Sequence, residues 1–315
     1  PLVPIVVALA IRLGWDALTG LGMSLLAIGC GFSAGICNPF TVGVAQEQAG
    51  LPMFSGMGFR ALAFILVYAL LLAFLFWHAK KQERPIAELG QEQEFIKEER
   101  MDRGLAWFVG ILGFGIVLVL CSPFIKVLQD YTMIVVAVTF LAAGLTASLL
   151  ANGKKGIGSM FGHGVTSVLP AVLMILMANS IKYTLVEGNI MNPLLESAIA
   201  VMEGLPRWSV ILFVYLIVLI MNFFIASGSA KAFILMPLIL PVAEAFGISA
   251  QLCVVAYAFG DGFSNVFYPT NPVLLISLGL ADVSYGKWAK WSVKFQVMNL
   301  LLTSGLLLLG LFVGY

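Results

Sequence analysis

Charge is scarce in this chain: Asp, Glu, Lys and Arg make up 10% of its 315 residues, and histidine occurs twice. A soluble domain carries about a quarter of its residues as charged side chains, so that class is excluded. Cysteine is equally sparse. Cys30, Cys37, Cys121 and Cys253 stand in apolar surroundings without ligand spacing and read as small packing residues. His78 and His163 have no neighbour in sequence that would make a metal site or a catalytic pair. No nucleophile with a base, and no pair of carboxylates, falls at one depth, which argues against an intramembrane enzyme. A net charge of +1 without a basic aromatic patch gives no nucleic-acid partner.

What is abundant is hydrocarbon. Hydrophobic residues form 61% of the chain and the mean hydropathy is +1.02, the signature of an all-α polytopic membrane protein. Its organising stretch is 225–271. Two apolar runs, 208–226 and 232–246, flank the small polar tip Ser227-Gly228-Ser229-Ala230, followed at once by Lys231. Each run is short for a bilayer, which needs about 20 residues. Together they predict a re-entrant helical hairpin over 207–246 with its tip near the midplane. The next apolar segment, 249–280, is interrupted at Gly260-Asp261-Gly262-Phe263-Ser264-Asn265 and at Pro269-Thr270-Asn271-Pro272, the pattern of a broken helix. Non-helical backbone at membrane depth must be buried in protein or line a wet cavity, so tip and break together imply a polar cavity.

The same pattern occurs at the start of the chain. Setting Pro4 against Pro237 also aligns Gly14 with Gly247, Asp16 with Ser249, Gly29 with Gly262, Asn38 with Asn271 and Pro39 with Pro272, all at one offset. The matched positions are caps and breaks. Two interrupted hydrophobic segments in corresponding places point to a secondary transporter built from inverted-topology repeats. In that reading 1–78 is the remainder of a first repeat whose N-terminal part, about 130 residues by symmetry, is absent. A break at 35–41 interrupts it. Residues 79–103 form a charged cytoplasmic linker, and 104–315 form the second repeat.

Further spans are expected at 56–77, 105–120, 133–150 and 288–313, with a short loop at 126–131, a return at 152–156, an apolar segment at 165–178 leaving helix geometry near 179–180, and an amphipathic stretch at 187–207. Lys80, Lys81, Arg84, Lys97, Arg100, Arg103, Lys154, Lys155, Lys287 and Lys290 fall on one side in this threading. The positive-inside rule makes that side cytoplasmic, in a multi-pass protein of the bacterial inner membrane.

The runs 38–46 (Asn-Pro-Phe-Thr-Val-Gly-Val-Ala-Gln), 227–230 and 259–265 resemble the YfcC-like branch of the anaerobic C4-dicarboxylate carrier (DcuC) family, within the ion transporter superfamily. The resemblance covers nearly the whole chain. It implies an elevator-type carrier, a homodimer with a scaffold and a moving part, and a C4-dicarboxylate or a basic amino acid of the arginine or ornithine type as cargo. The family pattern often has Gln where this chain has Lys231, so a fixed cation would alter preference for substrate charge.

The expected substrate and ion ligands follow from the chemistry such a site needs. Asn38, Pro39 and Thr41 would contribute from the first break. Ser227, Gly228 and Ser229 would contribute from the tip, and Gly262, Ser264, Asn265, Thr270 and Asn271 from the second segment. Their hydroxyls, amides and freed carbonyls around Gly228 and Gly262 can replace the hydration shell of Na⁺, placed near Ser229 and Asn265, or hold a carboxylate. Lys231 and Asp261 are ionisable residues at depth, which are functional by default, although they can also pair with each other. The function expected is secondary active transport of a carboxylate-bearing metabolite, coupled to Na⁺ or H⁺ or run as exchange, with no other cofactor. A passive channel and an intramembrane enzyme are the readings from other classes.

Overall fold

The computed structural model describes residues 2–82, 99–121, 132–152 and 204–315, with scattered positions between 157 and 200. Every regular element among the described residues is helical. The expected loops at 126–131 and 153–156, the departure near 179–180 and most of the stretches 165–178 and 187–207 lie outside the described residues. So do Arg84, Lys97, Lys154, Lys155, His163 and the side chain of Cys121.

The chain packs as two units, 1–89 with 169–315, and 90–168. The second unit holds one described helical pair. Its helices α5 (Glu99–Cys121) and α6 (Thr132–Asn152) run antiparallel. A Cβ on Gly104 would lie 2.9 Å from the Ala147 carbonyl, and Gly115 abuts Thr139, so small residues bring the backbones close.

The first unit contains helices α1 (Val3–Arg12), α2 (Ala17–Ser33) and α3, a π turn Pro39–Gly43 continued by Val44–Gln48. Then come α4 (Met57–Gln82), α7 (Arg207–Phe224), α8 (Gly228–Ala245), α9 (Ala250–Asn265), α10 (Pro272–Leu280) and α11 (Tyr285–Val313). Four of these, α4, α7, α8 and α11, are long and apolar enough to cross a membrane. Phe76 is 71% exposed on α4 and Phe312 91% on α11. Side chains of that kind outside a core suit a lipid solvent.

The local reasons for these boundaries are readable. Asp16 caps α2 by accepting from the Thr19 amide at 2.9 Å, and Ser249 caps α9 by accepting from the Leu252 amide at 3.1 Å. Gly14 and Gly247 just before them take positive φ, 85° and 69°, which glycine adopts without strain. Asn38 and Asn271 cap the helices that restart after each break, each followed by proline at the first helical position.

The breaks themselves differ from expectation. Residues 260–265 are helical to the end of α9, and the interruption is 266–271. The two glycines serve close packing: a Cβ on Gly260 would stand 2.6 Å from Val218 Cβ, and one on Gly262 2.8 Å from the Ser33 amide nitrogen. The first break is 34–38, with Pro39, Phe40 and Thr41 already inside α3. The hairpin tip is 225–227, because Ser227 is the cap and Gly228 opens α8. The linker is helical at both margins, through Gln82 and again from Glu99.

Two further side chains add detail, and for Cys37 the expectation changes. His78 pairs with a helix cap across the fold: its Nε2 lies 3.3 Å from an Asp16 oxygen, and its ring meets Trp291 edge-on. Cys37, in the first break, is exposed, with its sulfur 3.3 Å from that of Met57, whereas Cys30 and Cys253 are buried packing residues.

Contacts along α11 give the depth of the rest. Helix α4 runs antiparallel to it, with Phe59 stacked on Tyr315, Phe74 tilted on Phe295 and His78 on Trp291. Lys80 and Lys81 therefore share an end of the bundle with Lys287 and Lys290. Just past α9, Val266 is level with Trp288 through its carbonyl, and on α9 Phe263 is level with Gln296 and Leu252 with Gly310. Residues 257–261 thus lie beside the middle of α11.

Candidate functional site

The hairpin is closed at its open end by Arg207, which donates to the Gly247 carbonyl at 3.3 Å. Its tip reaches the middle of α9. The Tyr257 hydroxyl donates to the Gly228 carbonyl, so that carbonyl is occupied rather than open to a ligand. Ser229 Oγ donates to the Phe40 carbonyl at 2.9 Å, joining the tip to the start of α3. A Cβ on Gly228 would stand 2.8 Å from Asp261 Oδ2 and 2.9 Å from Thr41 Cγ2. First break, hairpin tip and α9 therefore converge on Gly228.

Lys231 and Asp261 meet there as an ion pair with both side chains fully buried. The ammonium donates to Asp261 Oδ1, to Asn222 Oδ1 and, at 3.3 Å, to the Ile225 carbonyl freed at the end of α7. A lysine ammonium has three donors, and all three are used within the protein. Lys231 is thus paired with Asp261, the alternative that the sequence reading left open. Asp261 Oδ2, by contrast, is buried without a hydrogen-bond partner among the described residues, as are Thr41 Oγ1 and Ser33 Oγ. Ser33 packs on Gly262, so the orphaned oxygens lie along one strip of the α2–α9–tip contact.

Several other expected residues are hydrogen-bonded within the protein. Asn38 accepts from the Phe40 amide and donates to the Phe32 carbonyl, both at 3.0 Å, so its amide holds the first break in shape. Asn271 does the same at the second, accepting from Val273 and donating to Asn265 Oδ1 at 3.1 Å. Pro39 is the first residue of its helix and Ser227 a cap. Ser264 Oγ donates to the Gly260 carbonyl at 3.0 Å. Thr270 Oγ1 is buried and unpartnered among the described residues. Ser229 and Asn265, expected near one Na⁺, have separate partner sets: Phe40 for the first, Asn222 and Asn271 for the second.

Asn222 was missed. Its Oδ1 accepts from Lys231, while its Nδ2 lies 2.8 Å from the Asp261 carbonyl, 2.6 Å from Ser264 Oγ and 3.0 Å from Asn265 Oδ1. One buried amide thus ties the charge pair to the second break. A lone Asn inside the run Ile-Val-Leu-Ile-Met-Asn-Phe-Phe was the available signal, because a buried polar group in hydrocarbon needs partners. Ser33 and Tyr257 were also missed. Among the described residues no cluster of metal-ligating side chains occurs.

The profile of the DcuC family, C4-dicarboxylate anaerobic carrier, matches residues 1–312. The chain belongs to the DcuC family. YfcC of Escherichia coli, named provisionally as a basic amino acid antiporter, is 27% identical over 332 residues, covering 99% of this chain and 65% of that protein. An uncharacterized Haemophilus influenzae protein is 26% identical over 324 residues, covering 97% of this chain and 62% of that one. The chain thus spans a little under two thirds of the curated relatives it matches. Among solved structures, the YdaH transporter of Alcanivorax borkumensis, whose crystal structure shows an unusual topology, aligns at a TM-score of 0.58 over 100% of this chain and 75% of that one, with 20% identity. That likeness concerns the fold. The DcuC family and this structural neighbour are transporters rather than enzymes.

Proposed function

We propose that this DcuC-family chain forms the translocating core of a secondary active carrier in the bacterial inner membrane, moving a carboxylate-bearing metabolite with Na⁺ or H⁺ or by exchange. The repeats at 1–78 and 104–315 are related by inverted topology, and the assembly is a homodimer working by an elevator motion. Support comes first from the place where a re-entrant tip, a helix restart and a mid-membrane charge meet around Gly228. Helix α8 begins there, at Gly228, and a helix N-terminus attracts carboxylates. Inverted broken repeats serve alternating access, which disfavours a passive channel.

The observation that bears most on cargo is the orphaned Asp261 Oδ2 beside a saturated Lys231. It favours a substrate that brings a cationic group as well as a carboxylate, so a basic amino acid taken by antiport is the second reading. Counterflow in liposomes containing the full-length protein separates the two. Exchange of labelled arginine or ornithine without exchange of labelled succinate selects the amino acid. The converse result selects a C4-dicarboxylate. Ohmic, non-saturable flux of either would refute a carrier.

A further inference from the structure

We propose that Lys231 is a resident cation: its ammonium fills an all-oxygen cage of Asn222 Oδ1, the Ile225 carbonyl and Asp261 Oδ1 that would otherwise bind an alkali ion. The donor set supports this. A carbonyl released where a helix ends inside the membrane, an amide oxygen and one carboxylate oxygen are the ligands that coordinate Na⁺ in carriers with broken helices. They are also the hard ligands that oxygen-seeking cations select. The cage exists apart from the lysine that fills it. Asn222 is fixed from its other end by the Asp261 carbonyl at 2.8 Å and by Asn265 at 3.0 Å, and Ile225 is fully buried in the tip.

Charge and position agree. Asp261 brings one negative charge and Lys231 one positive, so the fully buried site is neutral as it stands. Sodium added beside the ammonium would leave an unbalanced charge in a medium of low dielectric. Lys231 also sits in the first turn of α8, where the helix dipole disfavours a cation. Its placement therefore does nothing for the helix, and the carboxylate and the two carbonyl-type oxygens account for it. Its consequence for coupling, a half-site that runs without sodium, rests on the carrier reading above. The cage itself is read by equilibrium unfolding, so failure of transport in liposomes leaves that measurement standing.

Purified full-length protein is unfolded thermally in choline chloride and in sodium chloride at equal ionic strength. Lys231→Ala empties the cage and leaves Asp261 uncompensated. Relative to wild type it shows an added, saturable, sodium-specific rise of its midpoint by about 3 °C, and adding Asp261→Asn abolishes that rise. A folded Lys231→Ala with no added sodium response overturns the proposal. If Lys231→Ala folds in neither salt, Lys231→Gln, which keeps the Asp261 carboxylate, decides. A sodium-specific rise over wild type upholds the proposal. Its absence in the folded variant, or a sodium response of wild type that Asp261→Asn removes, refutes it.

Discussion

Ser229 Oγ donates to the Phe40 carbonyl at 2.9 Å across 189 residues of sequence, and this bond ties the hairpin tip to the start of the helix that follows the first break. Phe40 is the second residue of α3, so its carbonyl lies inside that helix's opening π turn. The bond therefore couples two elements that a carrier has to keep in register while its site is sealed.

Ser229→Ala should remove this bond at a cost of about 1 kcal/mol, the usual net value of one hydrogen bond. Its effect on transport should be larger than its effect on folding. Uptake rates and thermal unfolding of the same preparation check this. Uptake that falls no further than the folded fraction would reduce Ser229 to a packing residue.

Caps and restarts were legible in the sequence because their chemistry is local. Asn38-Pro39 and Asn271-Pro272 each place a capping amide before a residue that lacks an amide proton, and Gly14 and Gly247 supply the positive φ before Asp16 and Ser249. Gly260 and Gly262 were misread as a break for the opposite reason. Whether a glycine interrupts a helix or admits a neighbour depends on Val218 and Ser33, which the sequence leaves far away. The saturation of Lys231 was hidden likewise, since two of its three acceptors, Asn222 Oδ1 and the Ile225 carbonyl, belong to the run 208–226, which reads simply as apolar.

Gly262→Ala should test that packing account. The added methyl would meet Ser33 Oγ first and the Ser33 amide nitrogen at 2.8 Å, and of these two only the hydroxyl can rotate away. Overpacking of this kind costs about 1–3 kcal/mol. The unfolding midpoint should fall, and Ser33→Gly in the same chain should recover only part of it, because it removes the hydroxyl contact and leaves the main-chain nitrogen at 2.8 Å. Full recovery would mean the Ser33 hydroxyl was the whole obstacle and the main chain gives way.

Asp16 gives a pH prediction outside the spanning segments. Burial pushes its carboxyl up, but the Thr19 hydroxyl and amide and the adjacent His78 together outweigh this and hold it below the usual carboxylate range. A carboxylate lowered on folding contributes stability above its unfolded value, and that contribution is lost as pH falls through the folded value. Wild type should therefore lose stability below about pH 4 more steeply than Asp16→Asn, which retains a capping oxygen at all pH values. Parallel acid unfolding curves for the two would contradict this.

The charge pair supplies the last prediction. Lys231→Gln leaves a buried carboxylate and Asp261→Asn a buried ammonium, both in a fully enclosed place. Removing one partner of such a pair typically costs about 3–5 kcal/mol, and neutralising both relieves much of it. Each single variant should therefore unfold at lower temperature than wild type, while the double should recover most of the loss because Asn222 can still bridge two amides. Transport separates structure from function at that point. The recovered double should still fail to transport, since Asp261 Oδ2 is the orphaned oxygen beside the tip and an amide nitrogen or neutral oxygen there no longer attracts a cationic group. A stable double with wild-type uptake would assign both charges to folding alone and move the substrate site to Thr41 and the amides at the start of α8.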